Sequence, residues 1–434
     1  MNLTMRQTIL ISLFFLFVQG IKGQTQSISR DSISVFFDEI KITSEKNTKL
    51  WDKEIYGPTI LIDPKTRVLF ANEPDEAGIL KSDGNVYTGI LPEKINIANT
   101  AIDWNGKRWA MIMLPLPNDK SDRVNLLGHE SFHRIQPALG FTLNNDENNH
   151  LDQKEGRIYL RLELEALKNA IGSSSEKELQ EHLVNAMTFR KYRNTLYKNS
   201  AGTENLLELN EGIAEFTGLI LSGRNKKQTR SYFLNGIDGF LKNPTFVRSF
   251  AYYTTSVYGY LLYNKDKDWN KKISAKTDLT NYFIQAFNIK ISADLKKAVE
   301  KISGQYNAQS IIKEESEREE QTKKRIAEYK LKFIDQPHFE IQFVKMNVSF
   351  DPRNIMPVED KGTVYPAIRV TDVWGILTVE NGALMSPKWD KISISNPIKI
   401  ESKKISGDGW ILELTDDYKI MKDERSGNYT LIKN

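Results

Sequence analysis

The hydrophobic and polar positions pass through three regimes along the chain. The first is strand-like. In GPTILIDPKTRVLFANEP (57–74) two apolar runs, TILI and RVLF, flank DPKT, a turn with Pro64 pre-set at its second position, so a hairpin is predicted. Further strands are expected at NVYTGIL (85–91), KINIANTAID (94–103) and RWAMIMLP (108–115), whereas residues 31–56 are mixed. From Ser121 the period lengthens. Ser121 can cap a helix beginning near Asp122, and Pro137 stops it near Gln136 by disfavouring helical geometry in the residue before it. EGRIYLRLELEALKNAI (155–171) sets Leu160, Leu164, Leu167 and Ile171 on one face. Residues 176–197 and 203–223 read as further helices. The highly charged 309–333 reads as a solvated helix connecting two domains. From about 338 short strands return, separated by Gly, Pro, Asn and Asp.

This order predicts an α+β protein. Residues 24–120 form a β-rich part and 121–308 a helical part of one domain, 309–337 a charged connecting helix, and 338–434 a C-terminal β-sandwich or barrel-like domain.

Composition adds an address and removes one partner class. The 60 basic and 56 acidic residues of the 434 are mixed along the chain, which gives no argument for nucleic acid. At the N-terminus Arg6, the apolar ILISLFFLFV (9–18) and the small-residue end QGIKG (19–23) predict a signal peptide over 1–23, cleaved after Gly23 or Gly20. No other apolar run is long enough for a membrane span. With no cysteine there is neither a disulfide nor a lipid-modified cysteine. The expected product is secreted or periplasmic.

The chemistry centres on LLGHESFHRIQP (126–137), which holds two of the five histidines. On a helix His129 and His133 stand one turn apart on one face, where both imidazoles can hold one Zn²⁺. Glu130 is rotated roughly 100° from His129, beside the ion rather than on it. Two neutral nitrogen ligands and an adjacent carboxylate base are what a zinc hydrolase uses. A third ligand is needed. The metzincin solution is excluded, because Gln136 and Leu139 occupy the positions where that group has glycine and histidine. In LNEGIAEFTG (209–218), Glu211 and Glu215 share a helical face, and Gly212, Ala214 and Gly218 let that helix approach another closely. His150, His182, Glu163 and Glu165 are alternative third ligands.

HESFH followed by LNEGIAEF resembles the gluzincin metallopeptidases, over residues 108–262. The resemblance implies a thermolysin-like catalytic domain, built of a mixed sheet and a helical subdomain, with one Zn²⁺ on His129, His133 and Glu211. It makes Glu130 the general base and Glu215 the acidic residue that orients a ligand histidine. It also makes RWAMIMLP an edge strand beside the cleft. Two departures stand out. The interval 134–210 is longer than the familiar subfamilies use, and reads as an inserted helical hairpin. The Gly-x-Met-Glu-Asn motif for a free amino terminus is missing, so the closer likeness is to peptidase MA-like bacterial proteins. A tyrosine in FAYYTTSVYGYLLY (250–263) is expected to stabilise the transition state: Tyr252 first, then Tyr253 and Tyr258.

The function expected is therefore an exported zinc metallopeptidase acting on peptides or proteins, with a surface or glycan contact through the β domain. The rivals are an inactive gluzincin-fold binding protein of the envelope and a zinc hydrolase of a non-peptide bond.

Overall fold

The computed structural model describes residues 30–93, 95, 97–141, 148–350 and 355–434; the expected signal peptide lies outside them. The molecule is a mixed α+β protein in two compact units. The first runs through Lys242 and resumes over Phe246–Gln309; the second comprises Asn243–Thr245 and Ser310–Asn434.

The first unit opens with α1 (Arg30–Lys46), inside the segment that showed no clear period. Its buried positions Ile33, Phe37, Ile40 and Ser44 do follow helical spacing, but Val35 and Ile42, half exposed, blur the pattern. Six strands follow: β1 (Thr59–Ile62), β2 (Val68–Ala71), β3 (Lys81–Asp83), β4 (Val86–Ile90), β5 (Thr100–Trp104) and β6 (Lys107–Met113). Their order in the sheet is β3-β4-β2-β1-β6-β5, with β1 and β6 parallel and the other pairs antiparallel. The hairpin β1–β2 forms as read. Three details differ. In 94–103 the strand begins at Thr100 among the described residues, the polar β3 went unread, and β6 lies inside the sheet. The expectation of an edge strand at 108–115 is thus corrected: β1 and β5 flank β6, and the edge is β5. Burial explains the exchange, since Trp109–Ile112 are all buried, as suits a strand covered on both faces.

β6 leads into α2 (Lys120–Ile135). Its cap is Asp119, whose carboxylate accepts from the Asp122 N–H at 3.0 Å, so Ser121 sits inside the helix rather than capping it. Then come α3 (Lys154–Gly172) and α4 (Glu176–Leu196), a helical hairpin. α5 (Ser200–Leu207), a π-helical turn (Glu208–Gly212) and α6 (Ile213–Leu221) run on as one helix. α7 (Lys226–Phe240), α8 (Ala251–Tyr263), α9 (Leu279–Ala286) and α10 (Leu295–Ile302) complete the unit.

Two glycines let α2 and α6 cross closely. A Cβ on Gly128 would stand 2.8 Å from Leu221 Cδ1 and 3.2 Å from the Gly218 Cα, and one on Gly218 would run into the Asn125 carbonyl oxygen. α1 is fastened to α2 by a buried pair, Arg123 to Glu39, at 2.7 and 2.9 Å.

In the second unit, α11 (Ala308–Lys330) is the charged helix. It does more than connect, because Ile326 and Tyr329 near its C-terminal end, with Phe333 in the π-helical turn that follows (Leu331–Asp335), pack on Val358, Val364 and Leu384. Beyond it, the described residues form a seven-stranded and a six-stranded sheet. Phe339, Ile341, Met385 and Ile394 of one share a core with Val370, Leu377, Trp410 and Leu412 of the other, so the unit is a sandwich. Among the described residues no helix is long and apolar enough to cross a membrane.

Candidate metal centre

α2 carries His129 and His133 on its buried face, with ring centroids 4.8 Å apart and the planes at 71°. Their Nε2 atoms approach to 3.1 Å. The Glu211 carboxylate arrives from the π turn, its Oε2 lying 3.5 Å from Nε2 of His129 and 3.4 Å from Nε2 of His133. Ligand atoms about 2.0–2.2 Å from one tetrahedral ion stand about 3.3–3.6 Å from each other; the two carboxylate sides lie in that range and the imidazole side is slightly shorter, so the triangle is close to the size one zinc needs. The donor chemistry agrees. Two imidazole nitrogens and a carboxylate oxygen converging on one buried point repel unless positive charge, a cation or protons, lies among them.

Each imidazole is held by its other nitrogen. Nδ1 of His129 bonds Glu215 Oε2 at 3.2 Å, and the other oxygen of Glu215 accepts from Asn125 at 3.0 Å and from the Tyr232 hydroxyl at 2.6 Å. Nδ1 of His133 bonds Oε1 of Gln136 at 2.8 Å. Such partners fix ring orientation and leave Nε2 free to face a metal ion. Sequence reasoning assigned Glu215 to this duty through the resemblance, and it missed Gln136, Asn125 and Tyr232.

Glu130 is 5 % exposed, and its Oε2 has no hydrogen-bond partner among the described residues. Burial raises its pKa, only partly offset by the two imidazoles. For His129 burial works downward, but the carboxylates of Glu211 and Glu215 outweigh it and hold the imidazole up to about 10. His133 is raised in the same way by Glu211. Glu211 itself, despite burial, is kept far below its ordinary range by the same imidazoles. These shifts favour protonated imidazoles when no other cation lies among them.

Tyr252 lies over the site: its ring stacks on His129 at 5.3 Å and 4°, and its hydroxyl donates to Glu211 Oε2 at 2.7 Å. Burial, reinforced by that carboxylate, keeps the phenol protonated as a donor. The two reserve tyrosines are elsewhere. Tyr253 packs against Phe240, and Tyr258 donates to Glu163.

The π turn explains how Glu211 gets there. In a regular α-helix Glu204, Glu208, Glu211 and Glu215 would lie in one stripe about 60° wide. Here the Ile213 N–H bonds the Glu208 carbonyl, five residues back. That inserts one residue's rotation, about 100°, between the halves of the helix. Glu204 and Glu208 therefore meet Arg193 and Arg190 at 2.6 and 2.7 Å, while Glu211 and Glu215 meet the imidazoles.

Both arginines are fully buried in α4, and both also bind Glu163 of α3, at 2.7 and 2.8 Å. The alternative third ligands are accounted for here. Glu163 is spent on the arginines, His150 on Glu204 at 2.8 Å, His182 on the Tyr306 hydroxyl at 2.7 Å, and Glu165 on Lys168. None belongs to the His129/His133/Glu211 cluster.

Comparison with known proteins finds no matching family model, no matching curated protein and no matching solved structure.

Proposed function

We propose that the chain is an exported zinc metallopeptidase of gluzincin type, its first unit a thermolysin-like catalytic domain with His129, His133 and Glu211 as the metal ligands. The observation that supports this most directly is the triangle of donor atoms, 3.1, 3.4 and 3.5 Å on its sides, assembled from one turn of α2 and a distant π turn. Zinc bound there supplies Lewis acidity toward a scissile carbonyl and toward water. The remaining work falls to the chain. Glu130, buried and with an unpaired oxygen, takes the proton of the attacking water and passes it to the leaving amine. Burial, by raising its pKa, makes the carboxylate a stronger base for that proton. Tyr252 offers its hydroxyl to the oxygen of the tetrahedral intermediate once it leaves Glu211. Glu215 and Gln136 hold the imidazoles in register.

Metal analysis of the purified protein beside its His133→Ala variant is the test. One zinc per chain in the first and none in the second is expected, and equal zinc in both overturns the assignment. Glu130→Gln, assayed on a peptide mixture and on ester and amide panels, is expected to keep the metal and lose hydrolysis. A parent that holds zinc yet cleaves nothing in any panel is a binding protein instead.

A further inference from the structure

We infer that Gln136 is a positioning residue that couples the two halves of the metal centre, setting the ring of His133 and the place of Glu211 at once. This rests on the zinc reading of the site.

The side chain is 4 % exposed, and its backbone is fixed on both sides. Its N–H closes α2 on the Phe132 carbonyl, Pro137 follows, and its own carbonyl accepts from the Phe141 N–H at 3.1 Å. The amide nitrogen donates to the carbonyls of Leu209 and Asn210, at 3.3 and 3.1 Å. A carbonyl oxygen can only accept, so these two partners decide which end of the carboxamide carries the nitrogen. The oxygen end must then face His133, 2.8 Å from Nδ1, and it can only accept from it. The hydrogen therefore sits on Nδ1 and leaves Nε2 for the ion.

Leu209 and Asn210 are the two residues before Glu211, inside the π turn. One rigid amide thus spans from the imidazole of one ligand to the backbone that carries another. Glu215, by contrast, orients His129 alone among the ligands. Few side chains can replace the strut. Glutamate keeps the acceptor for His133 but turns an oxygen toward two carbonyls, methionine keeps the volume and no polar group, and asparagine is one methylene short.

The experiment measures zinc affinity by chelator competition for the parent, Gln136→Met and Gln136→Glu, with amide hydrogen exchange on the metal-free proteins. Gln136→Met is expected to lose about 10–100-fold in affinity, and Gln136→Glu to weaken as well. Exchange should quicken over 209–213 in both variants and stay unchanged over α3 and α4. A loss under about tenfold in Gln136→Met, or quickening spread evenly over the whole unit, overturns the inference while leaving the zinc reading intact. A parent that takes up no zinc overturns both together.

Discussion

Tyr252 carries two candidate duties, and they separate by measurement. Its hydroxyl rests on Glu211 and its ring stacks on His129, so on the proposed reading it can steady a ligand or turn to a substrate oxygen. Tyr252→Phe is expected to lower kcat by about 10²–10³ with zinc affinity within tenfold of the parent, the size of effect seen when one oxyanion donor is removed. A loss of zinc with unchanged turnover of the loaded enzyme would give the hydroxyl to Glu211 alone. The imidazoles set a pH dependence. A histidine raised by folding from 6.5 to about 10 contributes stability that is complete below pH 6.5 and is lost as pH rises through 10. The metal-free protein is therefore expected to lose melting temperature between those limits, while zinc affinity climbs over the same window as fewer protons must be displaced. Thermal melts and chelator titrations from pH 6 to 10 check both. At this scale the motif residues were legible because HESFH is contiguous and histidine is scarce. Gln136 was not, since position 136 reads as the end of a helix, and only the fold brings Leu209 and Asn210 to its amide.

The elements that matter most are two helices that cross closely at a pair of glycines. At the α2–α6 crossing a Cβ on Gly218 would run into the Asn125 carbonyl and one on Gly128 would crowd the Gly218 Cα, and α2 carries His129 and His133 while α6 carries Glu215. Gly218→Ala is expected to destabilise the protein by about 1–3 kcal/mol and to weaken zinc binding, because α6 must back away from α2. A denaturant midpoint beside a metal titration would show it, and an unchanged pair of values would mean that the helices yield freely. Glycines at 212 and 218 were legible as close-approach positions. The buried arginines were not. Arg190 and Arg193 stand among polar residues in a segment read only as a further helix, and three glutamates from two other helical segments turn them inward. Spacing of four, three and four in Glu204, Glu208, Glu211 and Glu215 announces one face, and hydrophobic periodicity contains no signal for a π turn.

Taken whole, the chain holds two units with separate cores. The sandwich closes over Phe339, Trp374, Leu377, Trp410 and Leu412, and the end of α11 packs within the same unit. Residues 310–434 alone are expected to unfold in a single cooperative transition by circular dichroism, and a chain that stays unfolded would show that the core needs the rest of the molecule. The sandwich was legible as a class from its short alternating strands. Its unread strands include Met356–Val358, Pro397–Ile400 and Tyr418–Lys422, all at sheet edges, where one side of the strand is unpaired and burial no longer alternates. The extra residue in the Glu208–Gly212 turn makes the site depend on a helix that stays locally unwound. Tightening that turn to regular geometry with the residue count unchanged would set all four glutamates in one row that can serve the arginines or the imidazoles but not both. Removing the codon for Leu209 takes away the surplus residue instead, so a regular helix then keeps roughly 200° between the carboxylates of Glu208 and Glu211 and both faces survive. Such a deletion is expected to retain zinc uptake and a folded α3–α4 hairpin, and loss of either by metal analysis or circular dichroism would show that the wide turn does more than set rotation.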